Sequence, residues 1–197
     1  MLAFHNDPAI KEEYLNKDET MEDILDLGEI GISDEISYIV DYVSKFLKES
    51  ESIEIYRRFI SSIEVGADLS EVWFDFMTWI LVDDKYGVIN YGKTDKEISY
   101  IRVVASAVLS HKETTYEQWC NLNFNRPYHT SGASRCAGWV TSYFLQSIAT
   151  SLICETICNY STAVISGAEL HDYENQKEAK KIQFEKLLEL ISKCKKG

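Results

Sequence analysis

Proline and glycine are scarce in this chain, 2 and 9 among 197 residues. That excludes a β-sandwich built on many tight turns, and a hydrophobic content of 45% excludes a disordered chain. Helices are the class that remains. The opening residues lack a basic segment followed by an apolar one, so we expect no signal peptide and a cytoplasmic protein. The stretch from Cys136 to Cys154 has no charge over 19 residues but contains five Ser/Thr and a Gln, with no basic clusters beside it. It reads as a core helix and not a membrane span. The five cysteines, Cys120, Cys136, Cys154, Cys158 and Cys194, include no C-x-x-C pair and form an odd set. They fit a reduced interior better than a disulfide framework. Cys154 and Cys158 share a helix face, but two thiols without histidine partners make no zinc site, and we expect neither metal nor cofactor.

What is present is enough for a core. A chain of this length buries one without disulfides or metal, and we expect a single domain over residues 1–197. Its formal charge of −12 is unevenly spread. Residues 1–100 carry 23 acids against 9 bases, and residues 101–197 carry 9 against 11. An acidic helical half, 1–110, is therefore followed by a near-neutral one, 111–197. An acidic protein is repelled by nucleic acid and by anionic membrane, so neither is an expected partner.

The helical signals are plain. Asp7-Pro8 starts a first helix with Tyr14 and Leu15 on its apolar side. From Asp18 through Glu35 there are eight acids and no base, with Gly28 and Gly31 as breaks. Ser33 caps a helix through Ile36, Ile39, Val40, Val43, Phe46 and Leu47. A further one over 52–64 carries Ile55, Phe59 and Ile60, with Arg57 and Arg58 placed to pair with carboxylates. Beyond Gly66, with Asp68 or Ser70 as cap, Val72 to Leu81 is apolar on more than one face, which implies burial on most sides. Asp83-Asp84 fit a turn, and Thr94 or Asp95 starts a helix that ends near His111. From the cap at Thr130 or Ser131 the chain reads as one long central helix up to a break at Ser161 to Gly167, and a last helix from about Glu169 carries Ile182, Phe184, Leu187 and Ile191. The expected fold is an all-α bundle of about seven to nine helices.

Three segments, MLAFHNDPAIKEEYL, FISSIEVGADLSEVWFDFMTWILVDDKYGVINYGKTDKE and KKIQFEKLLELI, resemble an uncharacterised family found in bacterial and phage genomes. The MLAFHNDP leader and the VGADLSxVW segment carry the likeness, which covers about half the chain. Two departures stand out. Many members have a cysteine-containing segment soon after the leader, absent here, and an alanine-rich repetitive helical region where this chain has the more diverse stretch 115–165. The resemblance implies a helical fold and a mobile-genome setting, with no assigned chemistry.

The candidate site is the polar loop before the long helix. Arg126-Pro127 disfavours helix at Arg126, and Thr130 or Ser131 then caps the next one. Gly132 lets a ligand approach the backbone, and the first-turn N–H groups face an anion. Arg126, His129, Ser134 and Arg135 add hydrogen-bonding groups, while Tyr128 and Trp139 offer flat faces for a base. This suits a phosphate-bearing small molecule, although no GxxxxGK[ST] or GxGxxG motif is present. Small residues along 133–158, Ala137 and Gly138 among them, permit close helix packing within the subunit or across a homo-oligomer.

Three functions follow as expectations. The first is a binding protein for a nucleotide-like ligand; in a phage setting it would sequester a host immune signal. The second is an acidic inhibitor whose residues 18–35 occupy a basic groove on a host protein partner, with Glu22, Asp23 and Asp26 at the contact. The third is a small hydrolase with Ser131, Ser134 or Cys136 as nucleophile and His129 as base. No third group orients such a dyad, so catalysis is not expected.

Overall fold

Apolar residues spaced three and four apart along most of the chain become helices, and the turn formers between them set the ends. The structure is a computed structural model and describes residues 2–16, 27–45, 49–127, 131–146 and 149–194. Among these lie α1 (Pro8–Asn16), α2 (Asp34–Ser44), α3 (Glu49–Ser62), α4 (Val72–Val82), α5 (Asp95–Leu109), α6 (Tyr116–Phe124), α7 (Gly132–Leu145), α8 (Thr150–Ser166) and α9 (Lys177–Ser192). No strand occurs among the described residues; Leu2 and Asp68 form one isolated antiparallel bridge. The fold is all-α, and no described helix is long and apolar enough to cross a membrane. Chain contacts divide it into two units, residues 1–73 with 181–197, and residues 74–180.

In the first unit the leader forms a left-handed turn. Phe4, His5 and Asn6 have φ of 53°, 48° and 61°, a region that costs an L-residue about 1–2 kcal/mol. Complete burial of Phe4 offsets part of this cost. So do two backbone bonds, Ala3 N–H to Ala67 O at 3.0 Å and Gly66 N–H to Ala3 O at 2.9 Å. Gly66 has φ 80° and no space for a side chain, since a Cβ there would lie 2.5 Å from Asn6 Oδ1. Asp7 then caps α1, its Oδ1 accepting the Ala9 N–H at 2.9 Å. From α1, Lys11 reaches the end of α3, and its Nζ donates to the carbonyls of Ser61 and Ile63. Burial lowers the pKa of this amine, against an opposing pull from Glu64.

α2 packs on α3 through Ile36, Ile39, Val40, Phe59 and Ile60, all fully buried. Ser33 stands at the N-cap of α2 as expected, but its hydroxyl makes no capping bond. Asp34 and Glu35 occupy the first turn, where the helix dipole favours acids. Arg58 pairs with both carboxylate oxygens of Glu185, at 2.8 and 2.9 Å. Both side chains are about half exposed, so the pair contributes at most about 1 kcal/mol. Phe46, Leu47 and the acidic residues 18–26 lie outside the described residues.

In the second unit, Phe76, Met77, Ile80 and Leu81 of α4 are fully buried, as its all-round apolar sequence requires. Asp83 makes the following turn, its Oδ1 accepting the N–H groups of Lys85 and Tyr86 at 3.0 and 2.8 Å. Thr94 caps α5, and Thr115 with Gln118 forms a reciprocal capping box on α6. The ring of Trp119 lies parallel to that of Phe144 at 3.9 Å, which fixes α6 to the C-terminal turn of α7.

Two expectations are corrected. The long central helix is two helices: α7 ends at Gln146, which adopts φ 48° and ψ 39°, and α8 runs back along α7. Cys136 Sγ meets the Ile157 carbonyl at 3.6 Å, and Gly132 faces Val164. A single rod over 132–166 would run about 50 Å; folding it buries Ala133, Ala137 and Val140 against Ile153 and Ile157 instead. The last helix begins at Lys177, not near Glu169. Residues 167–176 bond among themselves, with Asp172 holding Asn175 and the Gln176 amide donating to the Glu169 carbonyl at 2.7 Å. Such side-chain bonds compete with helix formation.

Candidate functional site

The start of α7 is fixed by two groups. Ser131 occupies the N-cap and its hydroxyl accepts the Ser134 N–H at 3.3 Å, so the cap falls to Ser131, not Thr130. Beneath it sits Glu97, 3% exposed, in the first turn of α5. Its Oε1 accepts the Ser131 N–H at 2.7 Å and its Oε2 the Lys93 N–H at 2.8 Å. Burial raises the pKa of this carboxyl, but the N–H groups of Ser131, Lys93 and Thr94 together with the Ser131 hydroxyl outweigh burial and hold it below the ordinary glutamate value. One carboxylate thus ties together the beginnings of two helices.

Beside this junction opens a groove of about 420 Å³. Ser131, Gly132, Ala133 and Arg135 of the α7 start form one side, Tyr160, Ala163, Val164 and the 167–170 segment another, and Tyr91 and Lys93 a third. Lys93 and Arg135 are exposed cations at its mouth. The N–H groups of Gly132 and Ala133, in the first turn of the helix, have no acceptor within the helix. Tyr91, 40% exposed, and Leu170, 37% exposed, supply an apolar rim.

Of the residues singled out in the sequence, Ser131, Gly132 and Arg135 come together in this groove. Arg126, Ser134 and Trp139 do not line it. Arg126 instead crosses Gly138, where a Cβ would lie 2.7 Å from Arg126 Cδ. Ser134 is fully buried. Trp139, one turn beyond Arg135, is partly exposed. Tyr128 and His129 lie outside the described residues. The glycine at 132 has a packing reason, because a Cβ there would come within 2.7 Å of Val164 Cγ2.

Neither Ser134 nor Cys136 presents a nucleophile to the groove. Both are fully buried, and burial pushes the Cys136 thiol far above its usual range. Among the described residues no group of three or more His, Cys, Asp or Glu side chains stands close enough to hold a metal ion. Lys93, Glu97, Tyr91 and Tyr160 are the residues that sequence reasoning missed. Thr94-x-x-Glu97 is a capping-box spacing and was a readable signal for Glu97, whereas Tyr91 and Tyr160 are brought in by tertiary packing alone. Compared with protein-family models, with curated proteins and with solved structures, this chain matches none.

Proposed function

We propose that this protein is a non-catalytic binding protein that takes a small phosphate-bearing ligand in the groove at the start of α7. The observation that carries this reading is the convergence of Lys93 and Arg135 on a groove that is also lined by Gly132 in the first turn of α7. Two cations and a helix N-terminus favour an anion. The Glu97 carboxylate takes part of that field, but both its oxygens are committed to backbone N–H groups below the mouth. Tyr91, Leu170 and Tyr160 add an apolar surface of the kind a nucleobase or sugar covers. A nucleotide is the ligand class that uses both parts. In the mobile-genome setting that the leader's resemblance implies, the corresponding role is sequestration of a host nucleotide signal.

Thermal unfolding across inorganic phosphate, mononucleotides and cyclic dinucleotides tests the reading. A ligand at a hundredfold excess over its Kd stabilises the native state by about 2.7 kcal/mol. A melting temperature that stays unmoved across the whole panel would overturn the proposal.

A further inference from the structure

The groove wall formed by residues 167–170 ends at two left-handed positions, Gly167 at φ 69° and His171 at φ 68°. Glycine adopts this conformation freely, and histidine, like asparagine, does so more readily than most residues but still at a cost that its contacts must offset. Its Nδ1 lies 3.1 Å from Asn159 Nδ2, on α8, and 2.8 Å from the Tyr173 hydroxyl. With the Asn159 amide nitrogen turned toward the ring, Nδ1 accepts, and the neutral ring then carries its proton on Nε2. Asn159 is 5% exposed, and its Oδ1 is buried with no hydrogen-bond partner. Leu170 and Ala168, just before His171, line the groove.

We propose that His171, Asn159 and Tyr173 form a proton-sensitive clasp that sets the position of this groove wall, closed while the imidazole is neutral. Its consequence for ligand entry rests on the groove being the binding site described above. A proton on Nδ1 turns an acceptor into a donor that faces the Asn159 N–H, and two donors cannot share the contact. The unpartnered Asn159 Oδ1 takes that proton once the amide turns over, and the Tyr173 hydroxyl must rotate its hydrogen away. Turning a buried amide requires its surroundings to shift, and the segment between Gly167 and His171 is the part with a permissive joint.

The Asp172 carboxylate accepts the N–H and side-chain amide of Asn175 at 3.3 and 2.7 Å. Glu174 pairs with Lys177 at 2.9 Å. The ammonium of Lys180 lies 4.7 Å from the Tyr173 ring centre. Glu155 stands one turn before Asn159 on α8, and Glu169 two residues before His171. Among the described residues none of these carboxylates pairs with the imidazole.

The test is NMR of the full chain without ligand, titrated between about pH 8 and pH 5, the interval in which histidines change charge. Long-range proton–nitrogen spectra should show the Nε2–H tautomer at high pH, and the Leu170 methyl signals should move with the same midpoint as the His171 ring. His171→Asn places an oxygen where Nδ1 stood, tolerates positive φ and cannot protonate; it should abolish the Leu170 titration. Asn159→Asp, which replaces the donor by an acceptor, should move the His171 midpoint upward and serves if the first variant fails to fold. An Nδ1–H neutral tautomer, or Leu170 signals that stand still while His171 titrates, overturns the clasp. A titrating wall that neither inorganic phosphate nor any nucleotide of the panel perturbs supports the clasp and removes the ligand reading; binding of any of them beside a static wall does the reverse.

Discussion

Glu97 and Ser131 are 34 residues apart in sequence, yet the buried carboxylate of one accepts the backbone N–H of the other at 2.7 Å. Ionised acceptors make the stronger hydrogen bonds, and this one also holds Lys93 at 2.8 Å. Glu97→Ala leaves two backbone donors unmatched at the start of α5 and α7. We expect a loss of about 2–3 kcal/mol in urea unfolding.

The same carboxylate makes stability pH-dependent. Its folded pKa is depressed, so its contribution is complete above the ordinary glutamate value of about 4.3 and is lost as pH falls through the folded value below it. Urea unfolding of wild type and Glu97→Gln, compared from neutral pH downward, should show their difference in stability shrink on acidification. A difference that holds constant into the acid range would contradict the arrangement.

Arginine substitutions separate the two sides of α7. Arg135 lines the groove and Arg126 lies across Gly138. Arg135→Ala and Lys93→Ala should each weaken phosphate binding by about tenfold, the worth of one charge-assisted hydrogen bond. Arg126→Ala should leave it within error in isothermal titration. Equal losses from Arg126 and Arg135 would place the ligand elsewhere.

Gln146 ends α7 with φ 48° and its side chain is exposed. Glycine removes the left-handed penalty there, and Gln146→Gly should stabilise by about 1 kcal/mol in thermal or urea unfolding. Gly66→Ala should do the opposite. It combines φ 80° with a Cβ 2.5 Å from Asn6 Oδ1, and a loss of about 2 kcal/mol follows.

The thiols divide by access. Cys136, Cys154 and Cys158 are buried, and Cys120 and Cys194 are half-exposed. Burial first, and then the neighbouring thiols Cys154 and Cys136, push Cys158 well above its usual range. A thiol-titrating reagent should therefore modify Cys120 and Cys194 in the native protein and the other three only on unfolding.

Much of the fold was legible because helix signals are local. Asp7-Pro8, Ser33 and Thr94 mark helix starts that the structure keeps, and the continuous apolar face of 72–81 announced its burial. Two errors share a cause. The uncharged run from 136 to 154 carries no proline or glycine beyond Gly138, so nothing in it marks the turn at Gln146; what selects that turn is the packing gained when α8 returns along α7. The late start of α9 arises likewise from bonds such as Gln176 to the Glu169 carbonyl, which join residues seven apart. At the groove, capping chemistry located Ser131 and Gly132, and Arg135 followed from helix geometry. Lys93 and Tyr160 reach it only through tertiary folding, and Arg126 left it because the gap above Gly138 accommodates its stem.

The Arg58–Glu185 pair has a consequence for the order of assembly. A chain emerges from the ribosome starting at its N-terminus, and units tend to fold as they are completed. Residues 74–180 form a continuous unit and have all their parts once Lys180 has emerged. Residues 1–73 are made earlier but belong with 181–197, so the partner of Arg58 arrives only after that unit. Of the two units, the one begun first is completed second, and its apolar faces wait through translation of the whole intervening unit.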